Sequence, residues 1–395
     1  MYRYLVLGAG MGKAIAAALL KQEDTALVTL VDCNASLIED ICFEMDDARL
    51  AGVIMDISSI PCVQRHMRAH DVVISAVKYE FNFALTKAAI EEGKHFVDLG
   101  GNNTVVRKQF SLDAAAKGIG SKVSPYNGIA PGAVNVLPMY AMELLGTDRL
   151  KSLRIYVGGI ERDPGGPLDY AKAFSVNGLI NEYIEDAIVK LDGKVQVVAG
   201  LTDTGDRLEF DTFDKGDPLR HLETAITSGV SSTLIEVIGD RVTDDLCYQT
   251  LRIPGHWDKI RLLRDLGLFR MDKVTLPNGK TVTPREVTEA VLDDALPMTD
   301  HDFIILRIIA ETEGGDQVVL ELIVEAQDDL TAMQISTGYS AAVTAMMLAR
   351  GDITDTGVLH LEKSVPPTKY VQEWGKLGLR LKVRRNDVAL EPRKA

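Results

Sequence analysis

Near the amino end of the chain, Gly8, Gly10, Met11 and Gly12 follow directly on the apolar run Leu5-Val6-Leu7 and lead into a helix-forming stretch at 14–20. Glycines crowded where a strand turns into a helix expose backbone N–H groups at the positive end of the helix dipole, and an anion such as phosphate settles there. Gly8 allows the tight turn, and Gly10 lets the backbone come close to a pyrophosphate. Asp32 stands at the tip of the next apolar run, 27–31, where a carboxylate can accept both hydroxyls of a ribose. Strand, glycine turn, helix, second strand and terminal acid, in this order, predict a dinucleotide-binding unit. Its spacing is irregular: a strict G-x-G-x-x-G would put the third glycine where Lys13 stands, and here it is Gly12. Asp32 also bears on the cofactor. A 2'-phosphate about 4 Å away would meet repulsion on the order of 4 kcal/mol per unit charge at an effective dielectric of about 20. No arginine follows in Cys33-Asn34-Ala35-Ser36 to offset it, so NAD is favoured over NADP.

In a parallel sheet, ligands sit beyond the carboxyl ends of the strands. Four groups of residues fall at such ends here: Asp56 and Ile57, Ala76 and Val77, Asp98, and Tyr126-Asn127-Gly128. Asp56 and Ile57 are expected to flank the adenine, with Ala76 and Val77 along the path of the ribose and nicotinamide. Gly128 opens the turn Gly128-Ile129-Ala130-Pro131-Gly132, which is expected beside the nicotinamide or, alternatively, as a turn joining domains.

The elements that must hold these groups are legible in the periodicity. Apolar strands at 53–57, 71–77 and 95–99 alternate with helices from Ser36 (with Glu39 completing a capping box), from Ser58, at 83–92 and at 104–117. This predicts an α/β fold with an amino-terminal, doubly wound parallel sheet of Rossmann type over residues 1–125. Beyond about residue 151 the pattern changes to strands at 153–160, 188–198, 247–253 and 303–326, with hairpin turns at Asp192-Gly193 and Gly314-Gly315. A second α/β domain on a mixed, largely antiparallel sheet follows, over 126–334. Thr283-Pro284-Arg285-Glu286 marks a helix start with a capping box. The stretch 331–350, rich in Ala and Met and ended by Gly351, reads as a long helix, and residues 335–395 are expected to pack back on the nucleotide domain.

With 395 residues and 46% hydrophobic content the chain can bury two cores. Its net charge of -14 argues against nucleic acid or an anionic membrane as partner, since both need a basic footprint. The basic cluster 380–385 reads as a solvated edge. Cys33, Cys42, Cys62 and Cys247 show no zinc or redox spacing, so no metal is expected and the four read as reduced core thiols. The first strand starts at once and no apolar run reaches membrane-spanning length, which predicts a cytoplasmic protein.

Several separate blocks carry a resemblance. Lys78-Tyr79-Glu80-Phe81-Asn82, Gly93-Lys94-His95-Phe96-Val97-Asp98-Leu99-Gly100-Gly101, the turn at 128–132 and Ile253-Pro254-Gly255-His256-Trp257-Asp258-Lys259 are similar to those of the saccharopine dehydrogenase family. Within it they most resemble the lysine 6-dehydrogenase branch. Tyr156-Val157-Gly158-Gly159-Ile160 and Thr227-Ser228-Gly229 extend the likeness over nearly the whole chain. The resemblance implies oxidation of the L-lysine 6-amino carbon, with NAD taking the hydride, ammonia released and the 6-semialdehyde cyclising to piperideine-6-carboxylate. It also implies a homodimer, with the domain over 126–334 binding substrate and carrying the subunit contact. The alternative within the family is reductive condensation of the saccharopine or carboxynorspermidine type, using NAD(P)H; a cofactor-binding protein without turnover is a third reading.

Amine oxidation sets a physical demand. A lysine amine of pKa about 10.4 must lose its proton first, at a cost of about 4.6 kcal/mol at pH 7. Asp98 is the first candidate to hold the amine and relay that proton, and its alternative part is to cap a helix or brace a loop. Tyr79 can orient the same amine. His256 is a second proton-transfer candidate, or with Lys259 a partner for the substrate carboxylate, with Thr227, Ser228 and Ser231 as further donors. Glu80 and Asp258 are candidates for the α-ammonium, each equally readable as a surface charge.

Overall fold

Near-continuous apolar runs separated by helices do build a parallel sheet, because strands covered by helices on both faces have no polar side to show. In the computed structural model, which describes residues 1–390 apart from 164, 174 and 229–231, the first elements are β1 (Tyr2–Leu7), α1 (Ala9–Leu20), β2 (Thr25–Asp32), α2 (Ala35–Met45), β3 (Leu50–Ile54), α3 (Ile60–Met67), β4 (Val72–Ser75), α4 (Asn82–Glu91), β5 (His95–Asp98), α5 (Asn103–Phe110), α6 (Asp113–Ile119) and β6 (Lys122–Ser124). The strands lie in the order β6-β5-β4-β1-β2-β3. All pair in parallel. The order reverses between β1 and β4, which opens a crevice at their carboxyl ends.

Helix α7 (Ala133–Leu145) leads to β7 (Leu150–Glu161), α8 (Val176–Ile184), β8 (Ala187–Leu191), β9 (Lys194–Val198), β10 (Arg207–Glu209), β11 (His221–Ile226), α9 (Ser232–Ile238), β12 (Val242–Arg252) and α10 (His256–Asp265). The small hairpin β13 (Val274–Thr275) and β14 (Thr281–Val282), α11 (Pro284–Ala295), β15 (Asp302–Glu311), β16 (Gln317–Glu325) and α12 (Ala332–Arg350) follow. The chain ends with β17 (Gly357–Val358), α13 (Leu361–Ser364), α14 (Pro367–Lys376), β18 (Lys382–Arg385) and β19 (Val388–Leu390). The second sheet runs β10-β11-β12-β7-β15-β16-β18-β19, with β8 and β9 branching from β12. Only the β12–β7 pairing is parallel, so this sheet is mixed and largely antiparallel. Strand β17 adds to the first sheet beside β6. No helix among the described residues is long and apolar enough to cross a membrane.

Local details differ from the sequence reading for identifiable reasons. Strand β3 stops at Ile54 because its partner β2 ends at Asp32, the residue paired with Ile54. Helix α2 is capped by Asn34 rather than by Ser36: the Asn34 side chain accepts from Leu37 N–H and from the Ser36 hydroxyl. The helix read at 104–117 is two helices. The Ser111 hydroxyl takes the Lys108 carbonyl and helps end the first. Thr283 precedes α11 without a side-chain cap. Of the basic cluster, Lys382–Arg385 forms a strand paired between β16 and β19, with Val383 buried. Among the cysteines only Cys247 is buried; Cys33, just past the tip of β2, is exposed.

The two sheets meet through α12. Its residues from Ile335 to Leu348 are buried without interruption, as a helix apolar on all sides must be. It packs on α1, β4 and β5 on one side and on β15 and β16 on the other. Its buried hydroxyls bond within the helix, Ser336 to the Ala332 carbonyl and Ser340 to the Ser336 carbonyl. Its first turn is held by the Thr331–Gln334 capping box and by Asp302, whose carboxylate accepts from Ala332 and Met333 N–H. Gly338 brings it against α1: a Cβ there would lie 2.8 Å from Ala14 Cβ and 3.1 Å from Ile15 N. Gly338→Ala, a change that in an exposed helix gains roughly 0.8–1 kcal/mol, is therefore expected to destabilise by about 1–3 kcal/mol through overpacking, read as a lower urea midpoint with an unchanged slope.

Candidate active site

The cofactor crevice begins at Gly8, whose positive φ and contact with β4's end exclude a side chain: a Cβ would sit 2.6 Å from the Ala76 carbonyl oxygen and 2.9 Å from Val77 Cγ1. Helix α1 starts at the very next residue. Gly10 is exposed and nothing lies within 4 Å of where its Cβ would be, which leaves room for a diphosphate over the helix N-terminus. Gly12 is buried, and a Cβ there would meet Leu30 Cδ1 at 2.9 Å and Val6 Cγ1 at 3.0 Å. The shortened turn thus keeps three separate duties: turning, approach to the anion and helix-to-sheet packing. Asp32 accepts from Ala9 N–H at 2.8 Å and from Asn34 N–H at 2.9 Å. Partial burial raises its pKa, but these donors outweigh it and hold the carboxyl below its ordinary range. The sequence reading left both oxygens to the ribose; in the structure each also serves the backbone. Asp56 is exposed and accepts from Ser58 N–H in the loop past β3, with Ile57 half-buried beside it. These residues fit a dinucleotide.

From the strand ends of the first sheet a cavity of about 360 Å³ runs to the second. Tyr79, Leu99, Gly101, Tyr126 and Gly128 line its near side, with Met333 and Thr337 of α12. Strand periodicity explains the floor. Tyr248, Thr250 and Arg252 alternate on one face of β12, Val157 and Gly159 on β7, and Ile304 of β15 pairs with Gly159. Helix α8, capped by Ser175, supplies a polar face of Asn177, Asn181, Glu182 and Glu185. The turn at 128–132 holds its shape because Gly132, at φ 132°, has the Gly128 carbonyl where a Cβ would be.

Arg252 is the residue that sets the cavity's chemistry. It is only 3% exposed, and among the described residues no carboxylate ion-pairs with it. Its Nε donates to the Tyr183 hydroxyl at 2.8 Å and Nη1 to the Leu251 carbonyl at 2.8 Å. Three rings surround it, with centroids 5.2 Å (Tyr170), 5.5 Å (Tyr183) and 5.9 Å (Trp257) from its guanidinium carbon. A buried cation without a counter-ion is costly unless a ligand supplies the anion. Glu182, half-buried in the same wall, accepts from the Thr250 hydroxyl at 2.6 Å and from Thr227 at 3.4 Å. Glu185 stands exposed at the rim.

The sequence-read residues divide accordingly. Tyr79, Gly128 and Ser228 line the cavity, and Thr227 lies behind it, its hydroxyl 2.8 Å from that of Thr250. Ser231 falls outside the described residues. Asp98 does not face the cavity. It is fully buried, with Gln109 donating to one oxygen at 2.6 Å and Gly100 N–H to the other at 2.7 Å, so it braces the loop after β5. Burial pushes its pKa up to about 6 against those donors. His256 is likewise enclosed, 0% exposed, and burial pushes its pKa down to about 3, so it sits neutral beneath Arg252 rather than in reach of a substrate. Lys259 is paired with Asp169, and Asp258 is exposed beside Arg261. Glu80 is exposed on the turn carrying Tyr79 and does not line the cavity.

The family model described as the saccharopine dehydrogenase NADP binding domain matches residues 4–121, and that of the saccharopine dehydrogenase C-terminal domain matches residues 128–379. The chain belongs to the saccharopine dehydrogenase family. Curated relatives in it include the NADP(+), L-glutamate-forming saccharopine dehydrogenases of Pyricularia oryzae, 28% identical over 152 residues, and Schizosaccharomyces pombe, 26% identical over 154. Those matches cover 38% and 36% of this chain but only 33% and 34% of the relatives, so the chain matches about a third of their length. Among solved structures, the apo saccharopine dehydrogenase (L-Glu forming) of Saccharomyces cerevisiae has a TM-score of 0.78 at 18% identity, over 98% of this chain and all (100%) of that one. The homospermidine synthase of Legionella pneumophila, solved with NAD, has a TM-score of 0.56 at 11% identity, over 100% of this chain and 94% of its own. At these identities the likeness carries the fold.

Within this family fold, the sequence reading passed over Arg252, Glu182 and Thr250. The available signal was an arginine closing a strand, two positions from a threonine and four from a tyrosine on the same face. Helix α8 had no comparable signal, because its polar face is polar toward the cavity and so looks like solvent exposure. The bracing role of Asp98 has a measurable sign. The folded state holds its proton more tightly than the unfolded chain, so ionising it costs stability as pH rises from about 4 to about 6. Asp98→Asn is expected to remove that loss, so that its urea stability relative to the parent improves across this window and is flat above it.

Proposed function

We propose that the chain is an NAD-dependent dehydrogenase oxidising the 6-amino carbon of L-lysine. The observation that carries this reading is the charge inventory of the cavity: among its described lining residues stand one cation, Arg252, and two acids, Glu182 and Glu185. L-lysine brings one carboxylate and two ammonium groups, the complementary set. A saccharopine-type adduct brings three carboxylates, for which this wall has a single partner. The names of the curated relatives favour the condensation reading, which stays within the same family chemistry.

In the proposed reaction Arg252 takes the α-carboxylate through charge-assisted hydrogen bonds. Glu182, oriented by the Thr250 hydroxyl, takes the α-ammonium. Tyr79, at the strand-end side of the cavity, orients the 6-amine, which must be neutral before its carbon gives up hydride. NAD, held at the turn of Gly8, Gly10 and Gly12 with Asp32, would supply the hydride acceptor when bound. Water then adds to the iminium carbon and ammonia leaves, so that lysine, NAD and water give the semialdehyde, NADH, ammonium and one proton. The semialdehyde closes on its own α-amine. NAD is preferred because Asp32, a carboxylate at the end of β2, would repel a 2'-phosphate placed there.

L-lysine with NAD is expected to raise absorbance at 340 nm, faster as pH rises toward the amine pKa of about 10.4, with NADP at least tenfold less efficient. Arg252→Met should raise the KM for L-lysine about a hundredfold, the loss expected for charged hydrogen bonds of roughly 1.5–3 kcal/mol each. NADPH consumption only when an amine and an oxo acid are both present would instead select condensation.

A further inference from the structure

Resting on the reading of the cavity as an amino-acid site, a second layer behind Arg252 acquires a role. The directions of its hydrogen bonds are fully determined. His256 Nδ1 lies 2.9 Å from the Leu168 carbonyl oxygen, which can only accept, so Nδ1 carries the imidazole proton. Nε2 is then an acceptor, and the Tyr183 hydroxyl 3.1 Å away donates to it. That leaves the Tyr183 oxygen lone pairs toward Arg252, whose Nε–H donates to them at 2.8 Å. Tyr183 and His256 are each 0% exposed and neither lines the cavity. Their rings pack edge to face at 5.8 Å, with Trp257 against both. The aromatic walls around Arg252 hold its plane but are indifferent to rotation within it; only directional bonds choose where its remaining N–H groups point.

We infer that His256 is a positioning residue: by turning the Tyr183 hydroxyl it aims the free edge of Arg252 at the carboxylate of the amino-acid substrate. The chain from the Leu168 carbonyl to the guanidinium is a fixed relay of orientation, not of protons. It serves only substrates with a free carboxylate. An amine of the same length without one makes no use of it.

The test compares L-lysine with 1,5-diaminopentane, the same chain without the carboxylate, on the NAD-loaded enzyme. Steady-state NADH formation and calorimetric binding are both measured. Tyr183→Phe keeps the ring packing and removes the hydroxyl. It is expected to raise KM and Kd for L-lysine at least tenfold, while kcat at saturation and both constants for diaminopentane stay within twofold. His256→Leu should do the same, and His256→Gln, which restores a donor and an acceptor, should recover part of the loss. If Tyr183→Phe does not fold, the two His256 variants carry the comparison. Equal losses for both amines would reduce the pair to packing and overturn the proposal. A parent that prefers L-lysine, with variants that keep that preference, removes the positioning role alone. A parent with no preference for L-lysine removes the amino-acid reading and the proposal with it.

Discussion

The burial of α12 on every side is the constraint on which the rest of this molecule depends. A helix whose residues from Ile335 to Leu348 are all buried must be covered by two layers, and here those layers are the two sheets. Close approach requires small residues, and Gly338 against Ala14 is one such point. Because α1 is also the helix whose N-terminus faces the dinucleotide, the same contact ties the cofactor turn to the second sheet. Gln334 makes the tie explicit, closing the capping box of α12 with one atom and donating to the Gly10 carbonyl with another.

That arrangement places a crevice suited to a diphosphate on one side of α12's first turns and, on the other, a cavity lined by one cation and two acids. The helix N-terminus at Ala9 attracts phosphate without any basic side chain, consistent with a chain of net charge -14. The cavity holds a cation that, among the described residues, has no carboxylate in ion-pair contact. Tyr170, Tyr183 and Trp257 make its burial tolerable, and the hydroxyl of Tyr183 gives it a direction. Electrostatic asymmetry of this kind, one cation against two acids, discriminates by charge pattern more than by shape.

Much of the fold was legible because its signals are local. Apolar runs, glycine stops and the Thr331–Gln334 box act over a few residues, and they place strands and helices to within a few positions. Where the reading missed, a partner decided: β3 ends at Ile54 because β2 ends at Asp32. The dinucleotide turn was legible for the same local reason, although its short spacing left the duties of Gly8, Gly10 and Gly12 open until their surroundings were seen. Of the residues read from sequence, Tyr79, Gly128 and Ser228 line the cavity, Asp98 takes its alternative part as a loop brace, and His256 lies enclosed behind Arg252. An aspartate at a strand end has the same sequence whether it faces a ligand or Gln109, and a histidine the same whether it meets substrate or Tyr183.

The sequence by itself determined the two kinds of sheet, the dinucleotide turn with its acid, and the family, since each follows from residue order within a short window. Tertiary structure alone decided which charges meet. Arg252 on β12 and Glu182 on α8 are brought to one wall by the packing of a helix on a sheet, and Tyr79 reaches the same cavity from the other sheet. No local spacing encodes such distances, because the energy that sets them belongs to the burial of α12 and its neighbours rather than to the residues that do the chemistry.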